Sequence, residues 1–244
     1  PIDVPVGPET NFQPNPEILD QVEGRLDGLI LASPSNPTGT MVRREELKAI
    51  VEYCAERGIR LISDEIYHGI PYGEPAETAL AFTDDAIIIN SFSKYFSMTG
   101  WRLGWMIVPE DLLRPVECLA QNLFISPPTV SQHAGIVAFE CRDELDGHVA
   151  RYARNRELLL RELPKAGFGN LASADGAFYL YSDITHLTDD SSEFCTQMLE
   201  QTGVAATPGI DFDPGRGGGF VRFSFAGRTE DMVKAARRLI QWLT

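Results

Sequence analysis

The segment Ala86-Ile87-Ile88-Ile89-Asn90-Ser91-Phe92-Ser93-Lys94 passes from a short apolar run to two hydroxyl groups and a primary amine. Arg102 follows eight residues after Lys94. A run of consecutive apolar residues is typical of a strand inside a parallel sheet. Open α/β sheets bind their ligands at the carboxyl ends of such strands. The segment therefore predicts an α/β fold with the polar residues of a site at the end of this strand.

Two more apolar segments, residues 28–32 and 59–63, predict further strands buried on both faces of the sheet. Between them, apolar residues recur at helical spacing in a segment that ends near Arg57, where Gly58 supplies the stop. Residues 103–108 predict another strand, which Pro109 ends. This alternation of strands and helices predicts a mostly parallel sheet flanked by helices.

The later part of the chain is more helical, and its pattern then changes to shorter elements. Helical periodicity covers residues 111–121, 129–139 and 144–163. A small α+β domain is predicted from strands at residues 177–181, 204–206 and 220–225 and helices at residues 192–201 and 230–242. We therefore predict a partial large domain over residues 1–143, then a linking helix and a small C-terminal domain over residues 144–244.

Composition and charge argue against several classes of partner and site. The 244 residues carry a formal net charge of −14, which argues against a nucleic-acid or anionic-membrane partner because those surfaces would repel the chain. The four cysteines are scattered and the four histidines lack ligand spacing, so we expect no disulfide and no metal site. No secretory signal opens the chain and no apolar run approaches membrane-spanning length. These features predict a cytoplasmic protein.

The groups around Lys94 suit an aldehyde cofactor that also carries a phosphate, and pyridoxal 5'-phosphate is such a cofactor. Lys94 is the predicted Schiff-base lysine and the base that moves a proton between the substrate and the cofactor. Ser91, Ser93 and Arg102 are predicted to bind the phosphate, with Arg102 bidentate. The alternative for an isolated lysine is a solvated side chain at a strand end. We expect Trp101 and Trp105 to pack in the sheet rather than to touch the cofactor.

A second polar cluster, Asp64-Glu65-Ile66-Tyr67, follows the strand at residues 59–63. A carboxylate that faces the pyridine nitrogen keeps this nitrogen protonated, and we assign this role to Asp64, with Glu65 ranked second. Tyr67 is predicted to donate its hydroxyl to the ring oxygen of the cofactor, although core packing is the alternative. Asn36, in a turn with Pro37, is predicted to bond the same oxygen through its amide.

Arg222 lies in a segment that alternates between polar and apolar residues, Val221-Arg222-Phe223-Ser224-Phe225. The alternation places Arg222 and Ser224 on one face of a strand. An arginine on a half-buried strand needs an anionic partner, and the α-carboxylate of a substrate is the natural one. The alternative is a structural ion pair with an acidic neighbour.

Together these motifs resemble those of the class I/II aminotransferases, the fold-type-I family of pyridoxal-phosphate-dependent enzymes. The resemblance runs almost the length of the chain. It is carried by Ser35-Asn36-Pro37-Thr38-Gly39, Asp64-Glu65-Ile66-Tyr67, Ser91-Phe92-Ser93-Lys94, Trp101-Arg102-Leu103-Gly104, Gly176-Ala177-Phe178-Tyr179, Pro208-Gly209 with Phe212, and Val221-Arg222-Phe223-Ser224.

The resemblance implies a large domain with a mostly parallel sheet, a smaller C-terminal domain, and a homodimer with active sites at the subunit boundary. It supports Lys94, Asp64 and Tyr67 as catalytic residues. It also supports the cofactor and substrate roles given above, with Asn36 and Arg222 as the substrate-binding residues. Members of the family carry a long portion before the stretch that resembles residues 1–15. We therefore expect a chain that lacks this N-terminal portion and that, by itself, binds the cofactor weakly.

The predicted function is the movement of an amino group between an amino acid and a 2-oxo acid. The same framework also serves C–S lyases, decarboxylases and related synthases, because the bond that breaks depends on how the substrate is oriented. A third hypothesis is a catalytically silent fragment that keeps the fold and only senses a ligand or dimerises. Arg222 accounts for one carboxylate of the substrate, and the sequence does not identify which amino acid is the donor.

Overall fold

A computed structural model describes all 244 residues of the chain. The chain forms two compact units. Unit 1 comprises Pro1–Pro34 and Met41–Asp146, and unit 2 comprises Ser35–Thr40 and Gly147–Thr244. The segment Ser35–Thr40 thus belongs to the second unit although it interrupts the first in sequence.

Unit 1 begins with a short helix and then alternates strands and helices before it becomes helical. Its strands are β1 (Gly28–Ala32), β2 (Arg60–Asp64), β3 (Ile87–Ser91) and β4 (Gly104–Ile107). Its helices are α1 (Pro16–Leu19), α2 (Arg44–Arg57), α3 (Glu110–Leu123), α4 (Thr129–Ala138) and the first residues of α5 (Arg142–Glu162).

The four strands form one sheet in the order β1-β2-β3-β4. Strand β2 runs parallel to both β1 and β3, whereas β4 returns antiparallel to β3. The mostly parallel sheet flanked by helices is therefore confirmed. Because β1, β2 and β3 point the same way, the residues that follow them gather at one edge of the sheet, which is where the sequence placed its polar clusters.

Helix α2 covers one face of this sheet, and its Leu47 and Ile50 pack with Leu29 and Leu31 of β1 in a single buried cluster. The other face of β1 is open, since the side chain of Ile30 is 75% exposed. Our expectation that β1 is buried on both faces was therefore wrong. Its apolar composition did not reveal which face a helix covers.

Unit 2 contains the rest of α5, then β5 (Asn170–Leu171), β6 (Tyr179–Asp183), α6 (Ser191–Thr202), β7 (Thr207–Pro208), β8 (Phe220–Ser224) and α7 (Thr229–Leu243). The strands form an antiparallel sheet in the order β5-β6-β8-β7. Val221 and Phe223 of β8 are buried while Arg222 is only half-buried, as the alternation predicted.

Two strands of unit 2 differ from their predicted positions. Strand β6 begins at Tyr179 rather than at Ala177, because Ala177 has a φ of 57° and cannot lie in extended backbone. Strand β7 is at Thr207–Pro208 rather than at residues 204–206, where the Val204 N–H is held by the Thr202 hydroxyl in a turn. No helix of the chain is both long enough and apolar enough to cross a membrane.

Candidate active site

Asp64 is the last residue of β2 and its side chain is half-buried. Its Oδ1 accepts the backbone N–H of Ile66 at 3.2 Å. Burial raises the pKa of Asp64, and the Ile66 N–H and the positive charges of Lys94 and His68 oppose this rise. Asp64 therefore sits in a partly desolvated position where Lys94, and His68 when it is protonated, favour its charged form.

Lys94 lies near the same edge of the sheet. Its Nζ is 5.3 Å from the centroid of the Tyr67 ring, a side chain that is 2% exposed. The electrostatic effect of Lys94 on Asp64 shows that the amine and the carboxylate are also neighbours. Three of the residues selected from sequence, from two separate motifs, are thus brought together in unit 1.

Tyr95 fixes the backbone beside Lys94, and sequence reasoning missed it. Its hydroxyl donates to Oδ1 of Asp146 at 2.6 Å. Its ring lies against Gly69, where an added Cβ would stand only 2.4 Å from a ring carbon. A residue with a side chain at position 69 would push the ring away, so this close approach requires glycine. The sequence carried no signal for the contact, because it depends on how two loops meet.

Ser91, Ser93 and Arg102 belong to one loop that is closed by its own hydrogen bonds. The Ser91 Oγ accepts the backbone N–H of Ser93 at 3.0 Å. Thr99 donates its hydroxyl to the Ser93 carbonyl at 2.7 Å, and Arg102 Nη1 donates to the Thr99 carbonyl at 2.9 Å. Thr99, which sequence reasoning missed, therefore links the serines to the arginine.

Trp101 does not pack in the sheet as we expected. It lies in the short 3-10 turn Thr99–Trp101, and 43% of its surface is exposed. Arg102 follows this turn with a φ of 52°, so the chain reverses sharply before β4 begins. The turn carries Trp101 away from the sheet, while Trp105 on β4 packs with Phe92 and Phe96.

Glu65, ranked second to Asp64 from sequence, is fully engaged in hydrogen bonds. Its side chain is 4% exposed, and Oε1 accepts from the Ser63 hydroxyl at 3.0 Å, the Thr78 hydroxyl at 3.1 Å and the Ala79 N–H at 2.9 Å. Its Oε2 lies 3.3 Å from Nδ1 of His68. Strand alternation thus directs Glu65 into the interior and leaves Asp64 at the edge of the sheet.

Asn36 and Arg222 both lie in unit 2 and contact each other directly. Arg222 donates from Nη1 to Oδ1 of Asn36 at 2.7 Å and from Nη2 to the Thr207 hydroxyl at 3.0 Å. The amide oxygen of Asn36 accepts this bond from Arg222, and its NH₂ is the group that can donate to another partner. Neither the direct contact nor Thr207 was predicted from sequence.

The guanidinium of Arg222 lies between two aromatic rings. Its Cζ is 4.3 Å from the centroid of Tyr179 and 4.6 Å from that of Phe212. It forms none of the ion pairs of the chain, and its buried Nε has no hydrogen-bond partner. The structural ion pair considered as the alternative for Arg222 is therefore absent.

Gly39 lets the turn that carries Asn36 pack closely within unit 2. Its φ is +71°, and an added Cβ would lie 2.8 Å from the Tyr179 carbonyl oxygen. The Gly39 carbonyl in turn accepts the Gly176 N–H at 2.8 Å. The segment around Asn36 is thus fastened to the start of β6, whose Tyr179 stacks on Arg222.

Comparison with known proteins gives the family. A family model described as aminotransferase class I and II matches residues 2–240. The chain belongs to this family. The class I and II aminotransferases depend on pyridoxal phosphate, so the cofactor expected from sequence is confirmed at the level of the family.

Three relatives of this class I and II aminotransferase chain illustrate the likeness. The chain is 50% identical to valine–pyruvate aminotransferase of Mycobacterium tuberculosis, over 99% of this chain and 63% of that protein. A crystal structure of an aminotransferase from Mycobacterium tuberculosis has a TM-score of 0.96 at 50% identity, with 99% of this chain and 64% of that chain covered. Thermus thermophilus aspartate aminotransferase with maleate has a TM-score of 0.89 at 30% identity, with coverages of 98% and 63%. The chain spans slightly less than two thirds of the length of these relatives.

The side chains at the edge of the sheet fit the family's cofactor in their chemistry. An amine beside an aromatic ring and a desolvated carboxylate suit an aldehyde and a pyridine nitrogen, respectively. Hydroxyl and guanidinium donors on the loop at residues 91–102 suit a phosphate. No group of three metal-ligating side chains competes with this interpretation.

Proposed function

We propose that the chain transfers an amino group between an amino acid and a 2-oxo acid, with pyridoxal phosphate held by Lys94. The observation that carries the proposal is the grouping of Lys94, Tyr67 and Asp64 at the carboxyl end of β2. The bound cofactor supplies an electron sink for the carbanion that forms at the substrate Cα. The residues of the chain supply binding, orientation and proton transfer.

Lys94 would provide the amine that holds the cofactor through its aldehyde, and once released it would act as the base for the proton at the substrate Cα. Asp64 binds the ring nitrogen, and its charge favours the protonated form of this nitrogen. Tyr67 and Asn36 donate to the ring oxygen. This role for Asn36 agrees with its free donor group, since its amide oxygen already accepts from Arg222.

Ser91, Ser93 and Arg102 bind the phosphate. The hydrogen bonds from Thr99 to Ser93 and from Arg102 to Thr99 favour this conformation of the loop. Such preorganisation reduces the entropy lost on binding. It also orients the guanidinium of Arg102, which has no carboxylate partner among the ion pairs of unit 1.

Arg222 binds the α-carboxylate of the substrate. Its guanidinium lies against the rings of Tyr179 and Phe212, and each of its Nη atoms keeps one N–H beyond the bonds to Asn36 and Thr207. Two parallel N–H groups match the two oxygens of a carboxylate. A charge-assisted bond of this kind contributes about 1.5–3 kcal/mol, which makes Arg222 the main substrate anchor.

We propose valine and pyruvate as the first substrate pair to test. This choice rests on the 50% identity with the mycobacterial valine–pyruvate aminotransferase. It also agrees with the surroundings of Arg222, where aromatic rings flank the guanidinium and one cation serves one carboxylate. A homodimer and a cytoplasmic location complete the proposal. The exposed apolar side chains of Leu119, Leu123 and Ile136 support the dimer, and four cysteines without a disulfide support a reducing compartment.

Cofactor attachment is tested on the purified chain mixed with pyridoxal phosphate. Borohydride reduction followed by peptide mass spectrometry should place the added pyridoxyl phosphate on Lys94. The Lys94→Ala variant should show no adduct, and Lys48→Ala, which removes a half-exposed lysine of α2, should behave like the wild type. An adduct on other lysines, with none on Lys94, contradicts the proposal.

The reaction type is tested by mixing the loaded chain with an amino donor and a 2-oxo acid. Transamination predicts alanine formation from pyruvate at the same rate as valine is consumed. Release of ammonia together with pyruvate from a cysteine-type donor, without an acceptor, would instead indicate a C–S lyase. Cofactor attachment with neither reaction would indicate a silent binding fragment.

A further inference from the structure

His68 lies on the loop after β2, between two hydrogen-bond acceptors. Its Nε2 is 3.0 Å from the carbonyl oxygen of Ser33, and its Nδ1 is 3.3 Å from Oε2 of Glu65. A backbone carbonyl can only accept, so Nε2 must carry a hydrogen. A carboxylate also accepts, so Nδ1 needs a hydrogen as well. The geometry at both nitrogens therefore favours the imidazolium form of His68.

Glu65 accepts several hydrogen bonds beside this ring. Three donors, from Ser63, Thr78 and Ala79, converge on its Oε1. Hydrogen bonds to a carboxylate favour its charged form. Oε2 is the oxygen that faces His68, and a protonated His68 would form an ion pair with this buried carboxylate.

The pair of His68 and Glu65 is connected to Asp64 through the backbone of Ser33. The backbone N–H of Ser33 donates to the Asp64 carbonyl at 3.2 Å, while His68 holds the Ser33 carbonyl. Ser33, which follows β1, is thereby held at its N–H by the last residue of β2 and at its carbonyl by His68. The charge of His68 also acts directly on the Asp64 carboxylate and lowers the pKa that burial raises.

We propose that His68, held between Glu65 and Ser33, is a positioning residue that orients Asp64 and keeps it ionised. The proposal rests on the proposed function, since it assumes that Asp64 binds the ring nitrogen of pyridoxal phosphate. It adds a role for His68 and Glu65, neither of which needs to touch the cofactor.

The charge of His68 depends on pH. Burial lowers the pKa of His68, and the carboxylates of Glu65, Glu77 and Asp64, together with the Ser33 carbonyl, oppose this decrease. Glu77 is itself paired with Arg44, so Glu65 is the anion that faces the ring most directly. As pH rises through the pKa of His68, the ring loses one of its two N–H groups, and Asp64 loses a cationic neighbour.

The first test uses the cofactor-free protein and carboxyl ¹³C NMR, with the Asp64 signal assigned by its loss in Asp64→Asn. His68→Gln keeps a donor for the Ser33 carbonyl but removes the charge. In this variant we expect Asp64 to titrate at a higher pH than in the wild type. His133→Gln, which alters an exposed histidine of α4, should leave the Asp64 titration unchanged. An Asp64 titration that is identical in wild type and His68→Gln overturns the proposal.

A second variant, Glu65→Gln, serves as a test in case His68→Gln fails to fold, and its effect is measured by imidazole ¹⁵N NMR. Glu65→Gln keeps an oxygen acceptor for Ser63, Thr78 and Ala79 but removes the anion beside His68. We expect the His68 ring to lose its proton at a lower pH in Glu65→Gln than in the wild type. A His68 titration that does not respond to Glu65→Gln contradicts the proposed pair.

Binding of pyridoxal phosphate, followed by its absorbance, then tests the link to function. Below the pKa of His68 we expect His68→Gln to bind the cofactor about tenfold more weakly than the wild type, equivalent to about 1.4 kcal/mol. This ratio should approach one as pH rises and His68 loses its charge. A ratio that stays constant with pH overturns the electrostatic role. If the wild type attaches no cofactor at Lys94, the proposed function fails, and the Asp64 titration alone decides the positioning role.

Discussion

Arg222 donates a 2.7 Å hydrogen bond from its Nη1 to Oδ1 of Asn36, a residue 186 positions earlier in the chain. The contact joins a strand of the antiparallel sheet to a turn that interrupts unit 1 in sequence. It uses the oxygen of the Asn36 amide and leaves its NH₂ as a donor. One hydrogen bond thus orients two of the residues proposed to bind ligands, one for the cofactor ring oxygen and one for the substrate carboxylate.

Replacing Arg222 by lysine should weaken carboxylate binding while the fold is kept. Lysine retains the charge but cannot bond Asn36, Thr207 and a carboxylate together, and it does not stack in the same way between Tyr179 and Phe212. Loss of one charge-assisted bond of about 1.5–3 kcal/mol predicts an increase in KM for the amino acid of about tenfold or more. The measurement is KM under saturating pyridoxal phosphate.

The matched control for Arg222→Lys is Arg228→Lys in the same unit. Arg228 is exposed and pairs only with Asp231, so its replacement should leave KM unchanged. Equal KM values for wild type and Arg222→Lys would show that the substrate carboxylate binds elsewhere. Equal affinities for pyridoxal phosphate in all three proteins would show that the change acts on the substrate.

Gly39→Ala should destabilise the chain and displace Asn36. Position 39 has a φ of +71°, which an alanine adopts only with strain, and the new Cβ would lie 2.8 Å from the Tyr179 carbonyl oxygen. Backbone strain of this kind costs about 1–3 kcal/mol, and the close contact adds to it. The measurement is the free energy of unfolding in urea, followed by KM to detect the effect on Arg222 and Asn36.

Gly24→Ala separates strain from collision, because Gly24 has a φ of +94° but no atom within 4 Å of the added Cβ. We expect Gly24→Ala to lose stability through strain alone and to keep its KM. If Gly39→Ala is no less stable than Gly24→Ala, the close packing of the turn against Tyr179 does not contribute significantly to the free energy of unfolding.

The positions that the sequence predicted well are those that depend on local patterns. Gly28–Ala32 is a strand with the predicted bounds, because a short apolar run bounded by turn residues is typical of a strand. Arg222 lies on the polar face of β8, because side chains alternate along any strand. Asp64 ends β2 and Lys94 follows β3, and the carboxyl ends of these parallel strands lie at the same edge of the sheet.

The residues that the sequence did not predict depend on contacts between distant segments. Thr207 and Tyr95 are ordinary residues whose importance follows only from the partners that the fold brings to them. The open face at Ile30 has the same composition as the covered face of β1, so the apolar pattern cannot distinguish them. The shared hydrogen bonds of Glu65 likewise come from Thr78 and Ala79, more than a dozen residues away.

Asp64→Asn should stabilise the cofactor-free protein at neutral pH. The folded pKa of Asp64 is raised by burial, so between the unfolded and folded pKa values the native state binds more protons than the unfolded state. Stability therefore decreases as pH rises through this window, and the charged carboxylate remains unfavourable above it. Asparagine has no such penalty, and each 1 kcal/mol gained raises Tm by about 2–4 °C in a chain of this size.

The check for Asp64→Asn is a pair of thermal melts, at neutral pH and in acid below the unfolded pKa. The variant should melt higher than the wild type at neutral pH, and the difference should shrink in acid, where Asp64 is protonated in both states. Asp27→Asn, at an exposed position, should not show this pattern. A neutral-pH Tm below that of the wild type would mean that Asp64 stabilises the apo protein. The proposed role of Asp64 also predicts weaker binding of pyridoxal phosphate by the variant.

Tyr95→Phe should destabilise the chain by about 0.5–1.5 kcal/mol, because it removes the 2.6 Å hydrogen bond to Asp146. Burial and this bond raise the pKa of Tyr95 to about 12, above its ordinary value of 10.0. The stabilisation is therefore complete below pH 10 and is lost as pH rises towards 12, since the phenolate cannot donate. Urea unfolding of wild type and variant should show a difference that is constant up to about pH 10 and then declines. Other tyrosines titrate in both proteins and cancel in this difference, so a gap that persists undiminished to pH 12 would mean that the hydrogen bond to Asp146 is not its source.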